Sequence, residues 1–154
     1  MKRMTIHKYC LTLRSIIVRS VGHCELAGLD GRECGGVLQD NHILSRGTRS
    51  DLTFHPLNYV CGCQSHHTWY SYGGKDDWPY VVMTHFPMRS EVFGIPKSSE
   101  KKNMSDIAER YENQLRLLAE SGHLKHEYRS ALDRKLIELV TAGKGYRDIF
   151  GVKK

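Results

Sequence analysis

A chain of 154 residues, 40% of them hydrophobic, can bury a core, which excludes wholesale disorder. No apolar run reaches the ~18 residues of a membrane span, and Leu11–Val18 is broken by Thr12, Arg14 and Ser15, so neither a membrane partner nor a secretory leader is expected and the reading is of a cytoplasmic protein. The net charge of +6 favours a polyanion partner, and residues 1–24 hold Lys2, Arg3, Lys8, Arg14 and Arg19 with no acid among them.

Residues 8–21 carry Leu11, Ile16, Ile17 and Val18 in a pattern that suits helix or strand, and the lack of a turn residue favours helix. Residues 22–63 are rich in Gly, Asp, Asn and Ser, with short strands predicted at 37–39 and 59–60. A brief helix is predicted after His66, ended by Gly73 and Gly74. Residues 75–98 contain Pro79, Pro87 and Pro96 and are expected to wrap the core irregularly. Ser105 is read as the N-cap of a helix running to Ser121, with Ile107, Tyr111, Leu115 and Leu118 on one face. A second helix is predicted from Glu127 to Thr141, stopped by Gly143.

Five cysteines, an odd number, argue against a disulfide framework. Four of them lie between Cys24 and Cys63, among several histidines, and that clustering points to metal. Structural zinc wants four N or S ligands, commonly as two close pairs. Cys63 and His66, two residues apart, form one pair, and Cys61 is the rival to Cys63. Cys24 and Cys34 form the other, with a nine-residue insert looping out between them and Gly35-Gly36 supplying a tight turn. The competing reading is that these are ordinary buried cysteines.

Between the pairs lie Leu38-Gln39, His42-Ile43, Ser45-Arg46, Leu52-Thr53-Phe54 and Asn58, and His67 follows His66, with Trp69 two places on. In this order the set resembles the HNH endonucleases of the His-Me finger group, closest to small phage nucleases, over about residues 20–70. The resemblance implies an α+β fold with a zinc-stapled ββα-metal finger at about 35–70; with the predicted N-terminal helix it is read as a nuclease core of 1–97, and the predicted C-terminal helical pair as an extension at 98–154. It implies a metal-dependent endonuclease hydrolysing DNA phosphodiesters, with His42 as general base. It also places Asn58 as the residue orienting the base or the metal loop, and His67 as a ligand to a catalytic Mg²⁺ or Mn²⁺. Many members carry Asp or His just before the base as a ligand to that ion; here the residue is Asn41, which the resemblance places as a second ligand, offering a carbonyl oxygen without charge, unless the ion is held by fewer protein ligands or the site is degraded.

Arg46 and Arg49 follow the base closely enough to meet a substrate phosphate, or are plain surface charge. Asn58 also reads as a turn residue, Trp69 as core, and Asp76-Asp77 as a solvated turn or an extra metal site. Residues 136–149 faintly resemble the opening of a helix-turn-helix, and a complete DNA-reading module is not expected. The C-terminal helices are read as packing or homodimer elements, with backbone contacts from Lys144, Arg147, Lys153 and Lys154. Two other functions compete with the nuclease: a zinc-finger module that binds nucleic acid without cutting, and a purely structural zinc protein.

Overall fold

The computed structural model describes residues 1–124 and 130–151. The chain is α+β and divides into two compact units, one of residues 23–100 and one of 1–22 with 101–154. The N-terminal segment thus belongs with the C-terminal helices, not with the finger to which the sequence assigns it.

The 23–100 unit is built on a two-stranded antiparallel sheet, β1 (Leu38–His42) and β2 (Tyr59–Cys63), registered from Leu38 opposite Cys63 to His42 opposite Tyr59. The strands run further than propensity predicts, because cross-strand pairing holds Asp40, Asn41 and Gly62 in extended backbone. Helix α2 (Gln64–Ser71) starts directly from β2, with Cys63 in its N-cap position. Residues 75–98 are more regular than predicted. Pro79 sits in the first turn of α3 (Trp78–His85), where its missing N–H costs nothing, and a 3-10 helix follows at Arg89–Gly94. Leu26, Ile43, Val60, Tyr70, Trp78 and Val82 are among the buried side chains at its centre.

The other unit is helical: α1 (Ile6–Arg19), α4 (Met104–Glu120), α5 (Ala131–Thr141) and the short α6 (Tyr146–Phe150). Helix α1 turns Tyr9, Leu13 and Ile16 inward, at helical spacing, against α4, whose Ile107, Tyr111 and Leu115 are buried, and α4 in turn packs on α5, which buries Leu136 and Val140. This apolar face is why the N-terminal segment joins the helical unit. Tyr9 donates to the buried Glu112 at 2.9 Å, and Arg19 pairs with Asp133 at 3.1 Å. Asn103, not Ser105, caps α4: its Oδ1 accepts from the N–H groups of Ser105 (3.1 Å) and Asp106 (3.2 Å). Helix α5 begins after Ser130, and the predicted start at Glu127 lies outside the described residues, as do Lys153 and Lys154. No described helix is long and apolar enough to cross a membrane.

Candidate metal centre and the histidine cleft beside it

The sharp turn from β2 into α2 places Cys63 at the strand end and His66 one turn later. Across from them, Cys34-Gly35-Gly36 forms a knuckle in which Gly36 adopts φ +76°, a left-handed conformation that a side chain would strain. Ser65 N–H donates to Gly35 O at 3.0 Å and Gln64 N–H to Val37 O at 2.8 Å, so the knuckle is sewn onto the start of α2.

The sulfurs of Cys24, Cys34 and Cys63 and a ring nitrogen of His66 lie within 4.8 Å of one another. His66 Nδ1 is 3.6, 3.8 and 3.1 Å from the three sulfurs. A tetrahedral zinc with ordinary bond lengths separates sulfur from nitrogen by about 3.6 Å. The four side chains therefore form a group able to hold a metal ion. Cys61 is not among them: it is buried in β2, its N–H donating to Glu25 Oε2 at 2.8 Å. Burial pushes the Cys63 thiol up, but hydrogen bonds from the His66 and Gly35 backbone outweigh it and lower the thiol to about 6. Desolvation and the neighbouring Cys24 and Cys63 raise Cys34 to about 11, so it keeps its proton at neutral pH, and a bound cation would favour losing it.

The insert between Cys24 and Cys34 is more than a spacer. Asp30 Oδ1 lies 3.3 Å from His66 Nε2, Arg32 N–H donates to the same oxygen at 2.9 Å, and Tyr70 donates to Oδ2 at 2.6 Å. Burial alone would raise the Asp30 carboxyl, yet the bonds from Tyr70, Arg32 and His66 hold it below its ordinary value. An acceptor at Nε2 keeps the proton there and leaves the Nδ1 lone pair for a metal. The Arg32 guanidinium lies 3.2 Å from the Trp69 ring centroid, fixing the insert to α2 and giving Trp69 a packing role. Nothing in the run Glu25–Glu33 marks Asp30 as special. Only the fold brings it under His66.

On the other side of α2 lies a cleft of about 570 Å³, lined by Asn41, His42, His67, Ser71, Lys75 and Trp78 among others. His42 is half-buried at the end of β1, its ring 5.0 Å from that of Tyr59 across the strand pair. His67 Nδ1 donates to Gln39 Oε1 at 2.5 Å, which leaves Nε2 as its lone-pair nitrogen. Asn41 is 2% exposed, and neither its Nδ2 nor its Oδ1 has a hydrogen-bond partner. A Cβ on Gly62 would come within 2.6 Å of Asn41 Nδ2, so the glycine makes room for this side chain. A buried amide with both polar atoms unsatisfied is costly, and beside a cleft that holds His42, His67 and Lys75 it is a place an ion or a water could fill.

Asn58 is fully buried and does not line the cleft. Its Oδ1 accepts from Leu44 N–H at 2.8 Å, and its Nδ2 donates to the carbonyls of Leu44 (3.0 Å) and Leu52 (3.1 Å). It clamps the loop that leaves β1 just after His42. Arg49 makes a two-pronged ion pair with Asp51 at 2.9 Å and reaches Pro96 O, so it is committed to structure, not presented to a phosphate. Arg46 is exposed. The cleft thus gathers Asn41, His42 and His67 and adds Lys75, which spacing alone does not single out, while Gln39 bears on it through its bond to His67. Comparison with known protein families, with curated proteins and with solved structures finds no match to the chain.

Proposed function

We propose that this chain is a metal-dependent endonuclease of the HNH type, hydrolysing DNA. The observation that carries the reading is the meeting of Asn41, His42 and His67 in one cleft, with the buried Asn41 amide unsatisfied. Asn41 Oδ1 and His67 would hold the divalent ion, Mg²⁺ or Mn²⁺, and Gln39 orients His67 for it. Bound there, the ion supplies positive charge against the developing phosphorane oxygens. His42 takes the proton of the attacking water on a ring nitrogen, and the resulting hydroxide displaces an alkoxide that picks up a proton from solvent. Lys75 lines the cleft where a non-bridging phosphate oxygen would lie, and Arg46 stands on the loop after the base. Asn58 acts through the backbone of that loop.

Cys24, Cys34, Cys63 and His66 would hold structural zinc, because a three-sulfur, one-nitrogen tetrahedron suits Zn²⁺ better than Mg²⁺ or Ca²⁺. The uncharged Asn41 favours a second reading, a zinc-finger module that binds nucleic acid without cutting. A homodimer through the C-terminal helices has less to support it, since the main apolar faces of α4 and α5 are spent inside the chain. Plasmid cleavage in Mg²⁺ or Mn²⁺, with His42→Ala beside wild type, separates the two readings. Cutting that falls at least ~100-fold in the variant is expected from loss of a general base. DNA binding by both with cutting by neither establishes the non-catalytic module instead.

A further inference from the structure

The net charge of +6 is not shared between the two units. Residues 1–22 with 101–154 hold 17 Lys and Arg against 8 Asp and Glu, a surplus of nine. Residues 23–100 hold 6 Lys and Arg against 9 Asp and Glu, a deficit of three. Metal loading does not reverse that sign. Zinc on three thiolates contributes one negative charge and a divalent ion in the cleft two positive ones, leaving about −2 on that unit. The unit carrying the candidate nuclease cleft therefore has no net positive charge with which to draw in a polyanion from a distance.

Within the helical unit the cations are arranged, not scattered. The Tyr146 hydroxyl donates to Met4 O at 2.7 Å, and its ring lies 5.2 Å from that of Tyr9. Lys2 and Arg3 precede Met4, and Lys144 and Arg147 flank Tyr146, so that hydrogen bond brings together two chain segments that each carry two cations. All four are exposed, and no described carboxylate pairs with them, whereas Arg19 and Lys135 are matched by Asp133 and Glu138. Lys8, in the first turn of α1, is exposed as well.

We infer that the helical unit, centred on Lys2, Arg3, Lys144 and Arg147, is the surface that grips the phosphate backbone of duplex DNA. Such a grip is sequence-independent and is driven by counterion release, so its strength is written in its salt dependence. DNA as the polyanion rests on the nuclease reading. The surface itself rests on charge and geometry.

The test is fluorescence anisotropy of a labelled ~30-base-pair duplex with the zinc-loaded full chain, in buffer without Mg²⁺ or Mn²⁺, across about 50–300 mM salt. Changing all four residues to Gln is expected to weaken binding at least ~10-fold near 100 mM salt, and to flatten the log–log salt slope by up to ~3.6, at ~0.9 per lost phosphate contact. A charge-keeping variant (Lys2→Arg, Arg3→Lys, Lys144→Arg, Arg147→Lys) is expected to stay within ~3-fold of wild type. Unchanged circular dichroism in both shows that folding is not the cause. Wild-type affinity and slope in the four-Gln variant overturn the inference. So does a wild-type chain that leaves duplex unbound at ~50 mM salt, including one that sediments with anionic phospholipid vesicles instead. Binding that meets these expectations without any plasmid cutting sinks the nuclease reading and leaves the inference standing.

Discussion

Asp30→Asn tests whether the insert before Cys34 belongs to the metal centre. In the folded chain the Asp30 carboxylate accepts from three donors: Arg32 N–H, the Tyr70 hydroxyl and His66 Nε2. Asparagine keeps the size and one acceptor oxygen but loses the charge and turns the other oxygen into a donor. If the new NH₂ faces Tyr70, the hydroxyl rotates to accept from it at small cost. If it faces His66, the ring must carry its proton on Nδ1, the nitrogen nearest the three sulfurs, where it opposes metal binding. Either way His66 loses the anionic acceptor that faces its Nε2. Loss of such an outer carboxylate typically weakens metal affinity ~10–100-fold, or about 1.4–2.7 kcal/mol. The assay is competition for Zn²⁺ against a chromophoric chelator, with Tyr70→Phe as control. That variant removes one hydroxyl and leaves the carboxylate on His66, so its Zn²⁺ affinity is expected within ~3-fold of wild type. A zinc Kd for Asp30→Asn within ~2-fold of wild type refutes the argument that Asp30 acts through the metal.

Both tryptophans, Trp69 and Trp78, lie in the 23–100 unit, so their emission reports on that unit alone. Chelation, or Cys63→Ala, is expected to red-shift that emission and unfold the finger while much of the helical circular dichroism persists, because metal binding at such sites is folding free energy; unshifted emission after metal removal would falsify a stabilising metal. Asn58→Ala leaves the half-buried Leu44 N–H without its acceptor and the Leu52 carbonyl without its donor, and urea unfolding followed by tryptophan emission should show a loss of about 1–3 kcal/mol. An Asn58→Ala chain as stable as wild type would mean that the loop after His42 is held by something else. The Arg49 guanidinium holds the Asp51 carboxyl well below the usual carboxylate range. A depressed folded-state value means the pair stabilises fully above the unfolded aspartate value of ~3.9 and loses that contribution as pH falls further. Asp51→Asn should therefore melt lower than wild type at pH 7, and the gap should narrow below about pH 4; a gap that is constant with pH counts against the ion pair.

The parts of this molecule legible in its sequence are those set by short-range chemistry. The spacing of Cys63 and His66 sufficed to choose Cys63 over Cys61, because a two-residue gap turns both side chains to one side of the strand-to-helix turn. The apolar face of α4 was equally plain from helical periodicity. What spacing could not supply was any relation made across the fold. Asp30 sits in a polar insert and meets His66 thirty-six residues later, Gln39 meets His67, and α1 finds its cover on helices that begin more than eighty residues beyond its end. Arg49 shows the same limit from the other side. Its position just after His42 suggests a phosphate contact, but Asp51, two residues on, takes both prongs of the guanidinium. Asn41 is where the two kinds of information bear on each other. Alone it reads as a weakened ligand, since it lacks the charge of Asp. In the folded chain it is a buried amide with both polar atoms unsatisfied, a state worth about 1–3 kcal/mol of strain per group that an ion at Oδ1 and a substrate oxygen or water at Nδ2 would relieve. Under the proposed reading, a neutral ligand would bind the ion less tightly than a carboxylate but would leave it more net positive charge, so Asn41 would trade metal affinity for attraction to a phosphate.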